Sequence, residues 1–424
     1  MSRANARVPS EQEMEHVTTR AVAEIIPHGE FLDALRSGRS LRLKMGFDPS
    51  APDLTLGHAV GLRKLRQLQD LGHRVVLIVG DWTAQIGDPS GQSKTRPMLT
   101  AEQVRVNAET YLRQFFQIVD RELTEVRWQS EWFDGFRLAD IVRLAAKFTV
   151  AQMLQREDFA QRFAAEKPVG VHELFYPLLQ AYDSVAVQAD VEFGGLDQKF
   201  NLLVGRELQA HFGQKPQSVF LVPLLVGTDG KVKMSKSLGN YVAIDEPPAE
   251  MFGKLMSIPD HLMLDYYELL TDVPDEDLAS IRKSIEQRAA NPMDHKMRLA
   301  REIVSQFHGP AEAEGAEAEF VRTFRRRELP EDVATKSLSF RDVLANQPHY
   351  DEDGQRYTRF PWLLVFLGLA SSQSEAQRLI RQRAVEIDGA VADSAKVALR
   401  DGMVIRVGKH RFLRIVDADL STDS

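Results

Sequence analysis

No cysteine occurs among the 424 residues, which excludes disulfides and any metal site built on thiolates. No apolar run approaches the roughly 20 residues needed to span a bilayer. The opening stretch, MSRANARVPSEQEMEH, lacks the apolar centre of a secretory signal, so a cytoplasmic location and no membrane partner are expected. A basic excess is missing too. The formal charge of −8 argues against a protein that coats nucleic acid indiscriminately, but it leaves room for a local basic surface. Internal repeats and low-complexity tracts are likewise absent. What is present, 43% apolar and 27% charged residues, suits a globular chain with a sizeable core, and the length predicts two or three domains.

Along the first 240 residues, strand-like and helix-like apolar patterns alternate. Residues 41–47 and 75–79 read as strands, and between them Val60, Leu62, Leu65, Leu68 and Leu71 recur at helical spacing, a strand–helix–strand unit. Further strands are expected at 125–128, 185–193 and 219–226. Helical patterns at 138–154 and 160–165 suggest an insertion between the halves of a doubly wound sheet. From 247 to 324 the pattern is nearly all helical and ends in a basic cluster, Arg322, Arg325, Arg326 and Arg327, which alone reads as a solvated face. Residues 330–357 read as a linker, and the remainder as a small separate unit. The expected domains are 1–245 with an insertion at about 131–161, then 246–329, a linker at 330–357, and 358–424.

Two motifs carry chemistry. Gly46-Phe47-Asp48-Pro49-Ser50 follows a strand, and Thr55-Leu56-Gly57-His58 opens the next helix. A strand–loop–helix junction is where such sheets present a ligand crevice. Gly57 lets backbone approach a nucleotide, and the helix start offers N–H groups to phosphate. A lone Gly-His would be read as an ordinary capped turn. Lys233-Met234-Ser235-Lys236-Ser237, before Leu238-Gly239-Asn240, sets two ammonium groups three residues apart on a glycine-flanked loop able to embrace a triphosphate. Taken by itself this too could be a solvated loop. A third segment, Tyr176-Pro177-Leu178-Leu179-Gln180-Ala181-Tyr182-Asp183, places Tyr176, Gln180 and Asp183 on one helix face. The plain alternative there is a structural helix with a polar side.

Together the first two motifs resemble the paired signatures of class I aminoacyl-tRNA synthetases, and GFDPSAPDLTLGH is close to the tyrosyl version. The segments WTAQIGDPSGQSKTRP, YPLLQAYDSVAVQADVEFGG and DQKFNLLVGREL are similar to the second bacterial branch of the tyrosyl-tRNA synthetases. The resemblance spans about 5–416. It implies a doubly wound, Rossmann-like α/β catalytic domain, a helical anticodon-binding domain and a small C-terminal α+β domain. It also implies ATP, accompanied by Mg2+ without a dedicated protein metal site, as substrate beside L-tyrosine and tRNA(Tyr), and a homodimer joined through the 131–161 insertion. The carboxylate of tyrosine would attack the α-phosphorus and expel pyrophosphate, so positioning and positive charge are the main requirements.

On the resemblance, Lys233, Lys236, Ser237, His58, Thr55 and Arg96 act on the phosphates. Gly46, Asp48, Ser50, Gly57, Gly195, Asp197, Met234 and Ser235 line the nucleotide, with Asp197 at the ribose. Asp88, Tyr176 and Gln180 hold the α-amino group, Gln198 the carboxylate and Asp183 the phenol hydroxyl. Three positions depart from the better-known branch: Lys44 stands for a tyrosine, Gln92 for a lysine and Leu196 for Ser or Thr; in the first signature, Thr55 stands for a histidine. Thr55 can offer one hydroxyl hydrogen bond but no charge.

At the C-terminal end, basic residues outnumber acidic ones nine to five between Ser371 and Val416, a local +4 on an acidic chain. That is the footprint of phosphate-backbone contact. SEAQRLIRQRAVEIDGAVA resembles the S4 RNA-binding fold, which implies tRNA contacts from Arg378, Arg381, Arg383, Lys409 and Arg411. Two rival readings stay open at this level, a tryptophanyl-type synthetase and a non-catalytic RNA-binding scaffold.

Overall fold

A six-stranded sheet is built from β1 (Glu24–Ile26), β2 (Arg42–Phe47), β3 (Arg74–Val79), β4 (Thr124–Trp128), β5 (Val191–Gly195) and β6 (Ser218–Val222). The computed structural model describes residues 6–49, 53–87, 100–287, 291–325, 333–345, 349–352, 355–392, 394–408 and 411–420. The strand order is β1-β6-β5-β2-β3-β4, parallel except for β1, which pairs antiparallel with β6. β3, RVVLIV, is buried at five of six positions, as a strand covered on both faces requires.

Sequence order reverses around β2, with β3 on one side and β5 on the other. The carboxyl ends of β2 and β5 therefore flank the topological switch point, where open α/β sheets bind ligands. Helices α1 (Leu56–Gln69), α2 (Ala101–Phe115), α3 (Tyr176–Val187) and α4 (Lys199–His211) surround it. α1 buries Leu56, Ala59, Val60, Leu65 and Leu68 at the spacing that the sequence displays. The expected strand at 185–193 is divided differently. Val185–Val187 completes α3, which begins with Pro177 in its first turn and ends at Gln188 in a left-handed cap, φ 50°, before β5 starts. Valines alone favour a strand, but the helical frame set from Tyr176 onward prevails over the last turn.

The chain divides into two compact units, Met1–Glu317 and Ala318–Ser424. In the first unit the helices Pro248–Ser257, Met263–Leu270, Asp275–Glu286 and Pro292–His308 bury Met251, Phe252, Leu255, Tyr266, Tyr267, Leu299 and Ile303. The Tyr266 hydroxyl donates to the Val226 carbonyl at 2.7 Å, joining this helical portion to the chain that follows β6. Arg326 and Arg327 of the basic cluster lie outside the described residues.

The second unit has its own core around Phe360, Leu363, Leu364, Val385, Ile405 and Ile415. Its five-stranded sheet runs Ala390–Val391, Val385–Ile387, Val404–Val407, Arg411–Asp417 and Thr335–Leu338. The last of these lies in the stretch expected to be a linker, yet it pairs parallel with Arg411–Asp417. Its sequence, TKSL, buries only Leu338, so alternation gives little sign of it.

One buried charge pair spans β2 and β5. Lys44 Nζ lies 2.8 Å from Glu192 Oε1, and both side chains are almost wholly inaccessible. Nζ also donates to the Gln180 carbonyl at 2.9 Å and to Ser184 Oγ at 3.0 Å. Removing one partner of such a pair leaves an uncompensated buried charge, so Glu192→Ala should destabilise the fold by about 3–5 kcal/mol. Urea denaturation of the two proteins measures it, and a loss below about 1 kcal/mol would contradict a buried pair.

Candidate active site

The two motif segments meet through their backbones. Leu56 N–H donates to the Val242 carbonyl at 2.9 Å, Ile244 N–H to the Leu54 carbonyl at 3.0 Å, and Thr55 bridges Ala243. The chain beyond the lysine loop is thus stitched to the N-terminus of α1. Asn240, buried, shapes the loop: its Oδ1 accepts from Ser235 N–H at 2.8 Å and its Nδ2 donates to the Lys233 carbonyl at 3.3 Å. Gly227 makes room for that side chain, since a Cβ there would collide with Asn240 Nδ2. Gly239 closes the loop at φ +67°, a conformation that favours glycine.

His58 turns back on the helix start. Its Nδ1 accepts from Thr55 N–H at 3.1 Å and lies 2.9 Å from Thr55 Oγ1, which places the ring hydrogen on Nε2. Burial, then the charges of Lys236 and Lys233, push its pKa down to about 3, so the ring is a neutral donor. Thr55, 2% exposed, spends its hydroxyl on His58 at the helix cap. Lys236 Nζ donates to the Asp53 carbonyl and to Tyr111 Oη, the latter at 2.7 Å. Lys233 Nζ pairs with Asp197 Oδ2 at 2.6 Å. Ser235 Oγ and Ser237 Oγ are 2.9 Å apart, and Met234 is buried.

Across the crevice, Tyr176 Oη donates to Asp48 Oδ2 at 2.8 Å, and Thr83 Oγ1 donates to Asp48 Oδ1 at 2.7 Å. Gly80 makes room for this, since a Cβ there would collide with Asp48 Oδ1. Gly195 has a similar reason, because a Cβ on it would lie 2.7 Å from Asp197 Oδ1. Gly46 and Gly57 do not, their nearest such neighbours being 3.9 and 3.4 Å away. Gln180 Nε2 donates to Glu192 Oε1 at 3.1 Å. Asn201 Nδ2 donates to both Gln180 Oε1 at 3.0 Å and Gln198 Oε1 at 2.9 Å.

Asp183 sits deepest, 1% exposed. Gln129 Nε2 donates to its Oδ2 at 2.8 Å and Trp132 Nε1 to its Oδ1 at 3.2 Å. Gln129 is oriented by its own Oε1, which accepts from Thr83 N–H at 2.9 Å and Trp82 N–H at 3.2 Å. Burial raises the Asp183 pKa to about 7, against the opposing pull of Lys44 and these donors.

The structure therefore gathers His58, Thr55, Lys233, Lys236, Ser235, Ser237, Met234 and Asp197 at one end of the crevice. Asp48, Tyr176, Gln180, Asp183 and Gln198 gather at the other. Ser50, Asp88, Arg96 and Lys409, along with Gln92, lie outside the described residues. The sequence pattern gives no sign of Tyr111, Gln129 or Trp132, each far along the chain from its partner, while Thr83 and Asn201 fall in segments that carry the resemblance but receive no role there. In the second unit Arg378 and Arg381 stand exposed on helix Gln373–Arg381, followed by exposed Arg383 at φ 56°. Arg411 is exposed and donates to the Leu369 carbonyl at 2.9 Å.

Residues 36–325 match the family model of tRNA synthetases class I (W and Y), and residues 359–405 match the S4 domain. A tyrosine–tRNA ligase of Dehalococcoides mccartyi is 56% identical over 96% of this chain and 99% of its own length. One from Thermotoga maritima is 49% identical over 95% of this chain and 97% of its own. Among solved structures, a truncated mitochondrial tyrosyl-tRNA synthetase of Aspergillus nidulans aligns with a TM-score of 0.62 at 20% identity, covering 74% of this chain and 95% of that one. The Archaeoglobus fulgidus tyrosyl-tRNA synthetase complexed with L-tyrosine aligns at 0.59 and 22%, covering 72% and 99%. These two similarities establish the fold.

Because burial lifts the Asp183 pKa from its ordinary 3.8 to about 7, the folded state holds this proton more tightly than the unfolded one. The stability it contributes is full below about pH 4 and is lost as pH rises toward 7. Urea denaturation between pH 5 and 8 should show a smaller decline for Asp183→Asn than for the parent chain; parallel curves would contradict the assignment.

Proposed function

The chain belongs to the class I tRNA synthetases, among the tyrosine–tRNA ligases, and from that premise we propose how its own residues perform the reaction. The enzyme joins L-tyrosine to tRNA(Tyr) in two steps, first forming tyrosyl-adenylate and pyrophosphate from ATP, then passing tyrosine to the 3′-terminal adenosine. The observation that carries the residue assignment is the stitching of the lysine loop to the start of α1, with His58 and both lysines close enough to influence one another.

Tyrosine enters with its phenol toward Asp183, whose carboxylate accepts a hydrogen bond from the hydroxyl. Gln180 and Tyr176, together with Asp88, receive the α-ammonium group, and Gln198 donates to the carboxylate. ATP lies over Gly46 and Gly57, where protein packing does not demand glycine and ligand approach supplies the reason. Gly195, Asp48 and Asp197 border the adenylate, the last at the ribose, and Ser50, Met234 and Ser235 complete its edge. Lys233, Lys236, Ser237, Arg96 and the neutral Nε2–H of His58 stabilise charge on the phosphate oxygens as the substrate carboxylate attacks in line. Thr55 acts through His58, whose ring it holds. Mg2+ accompanies ATP as part of the substrate complex.

Residues 1–245 carry this chemistry, 246–329 approach the anticodon region, and 358–424 grip tRNA through Arg378, Arg381, Arg383, Lys409 and Arg411. A homodimer through 131–161 is supported by exposed Leu138, Val142 and Val150, an apolar group that solvent does not favour. The location is cytoplasmic. Among the described residues no helix is long and apolar enough to cross a membrane.

ATP–pyrophosphate exchange with each amino acid supplied separately tests the substrate: exchange with tyrosine is expected, and exchange with tryptophan alone or with none would overturn it. Lys236→Ala should slow adenylate formation at least about a hundredfold, the scale of one lost charge-stabilising group, with tyrosine affinity nearly unchanged. Equal losses in rate and affinity would remove Lys236 from the phosphate role. Because Thr335–Leu338 belongs to the second unit's sheet, a chain ending at Arg325 is the cleaner truncation. It should keep tyrosine-dependent exchange and lose tRNA charging, and intact charging would refute the RNA-binding role of that unit.

A further inference from the structure

The hydrogen-bond polarity of the tyrosine pocket is decided by charged groups at the two ends of a chain of side chains. At one end Arg156 Nη1 lies 3.2 Å from Asn201 Oδ1. A guanidinium only donates, so the Asn201 oxygen faces it and the Asn201 Nδ2 faces away. That nitrogen carries two hydrogens, one for Gln180 Oε1 and one for Gln198 Oε1. At the other end Glu192, paired with Lys44, receives Gln180 Nε2. An ionised carboxylate only accepts, so the same orientation of Gln180 is selected independently. Arg156, Asn201 and Glu192 are 4%, 1% and 1% exposed, and an inverted amide among them would leave buried polar atoms facing like atoms, a costly arrangement.

We infer that Asn201 is a positioning residue which, oriented by Arg156, aims the amide oxygen of Gln180 at the substrate's ammonium group and the amide N–H groups of Gln198 at its carboxylate. This rests on the pocket assignment proposed above. The chemistry requires that polarity, since an ammonium group needs an acceptor and a carboxylate needs a donor. Neither glutamine sets it alone, because an amide rotated by 180° has nearly the same shape. The role also gives the 131–161 segment, which supplies Arg156, a part in amino-acid recognition.

Asn201→Asp tests it, because it keeps the side chain's size and an oxygen toward Arg156 but offers no donor to either glutamine. In ATP–pyrophosphate exchange the KM for tyrosine should rise at least about tenfold, as for loss of a hydrogen bond to a charged group, while the KM for ATP stays within about twofold. Inhibition by tyrosinol, which lacks the carboxylate, and by 3-(4-hydroxyphenyl)propionate, which lacks the ammonium group, should weaken less than tyrosine binding does. A folded Asn201→Asp enzyme with unchanged KM for tyrosine, or with equal losses for tyrosine and both analogues, would overturn the role. Should that variant lose its cooperative melt, Arg156→Lys and Arg156→Gln carry the test. Lysine also only donates and should preserve the KM for tyrosine, whereas glutamine can accept and should raise it; equal values in the two would overturn the proposal. A parent enzyme that shows no exchange with tyrosine would instead overturn the pocket assignment itself.

Discussion

The proposed amino-acid pocket hangs from one buried ion pair, Lys44 with Glu192, set on adjacent strands where the sheet reverses its order. Two charges withdrawn from water are tolerable only when their remaining hydrogen-bonding capacity is used. Glu192 meets that condition by accepting from Lys44, Gln180, Ser184 and Gln217, and Lys44 by reaching Gln180 and Ser184. Helix α4 must come close enough to cover this cluster, and Gly205 permits it, since a Cβ there would lie 2.8 Å from Gln217 Nε2 and 3.0 Å from Glu192 Oε2. The pair thus fixes α3 and α4 against the sheet, and with them Tyr176, Gln180, Asp183 and Asn201.

Along the crevice the electrostatics divide. The end proposed for the phosphates holds two lysines and a histidine kept neutral by burial and by those same lysines. A neutral ring adds a donor without adding repulsion among the cations. The Lys233–Asp197 pair is partly exposed, at 43% and 25%, and pairs of that kind contribute at most about 1 kcal/mol. In the proposed role, Lys233 exchanges this partner for phosphate oxygens at little cost. At the end proposed for the phenol, a carboxylate is buried beside another carboxylate, and Lys44 offsets part of the repulsion.

What was legible in the sequence follows the range of the interaction. The lysine loop, the Gly57-His58 helix start and the Tyr176, Gln180, Asp183 face each lie within a dozen residues, so spacing exposes them. The strand–helix–strand unit was legible because β2, α1 and β3 follow the periods of strand and helix. Gln129 and Trp132 were not, because they reach Asp183 from more than 50 residues away and their types carry no signature. Lys44 stood out only as a departure from a pattern, since its partner lies 148 positions later. The end of α3 and the strand Thr335–Leu338 mislead for opposite reasons. Valines imitate a strand in the first, and a polar stretch conceals one in the second.

On the proposed assignment, selection for the phenol hydroxyl follows from how Asp183 is supported. Gln129 cannot rotate to relieve the carboxylate, because its oxygen is committed to the Thr83 and Trp82 N–H groups, and Trp132 can only donate. Both neighbours therefore confront Asp183 with hydrogens, which suits an ionised acceptor, while burial resists the charge. A ligand hydroxyl adds a third donor and tips that balance toward the ionised form. A bare phenyl ring excludes water from the same carboxylate and returns nothing, so its binding must carry the unrelieved desolvation of a buried acceptor. On that reading, specificity is a property of a donor-lined shell around one carboxylate, built by the segments that follow β3 and β4.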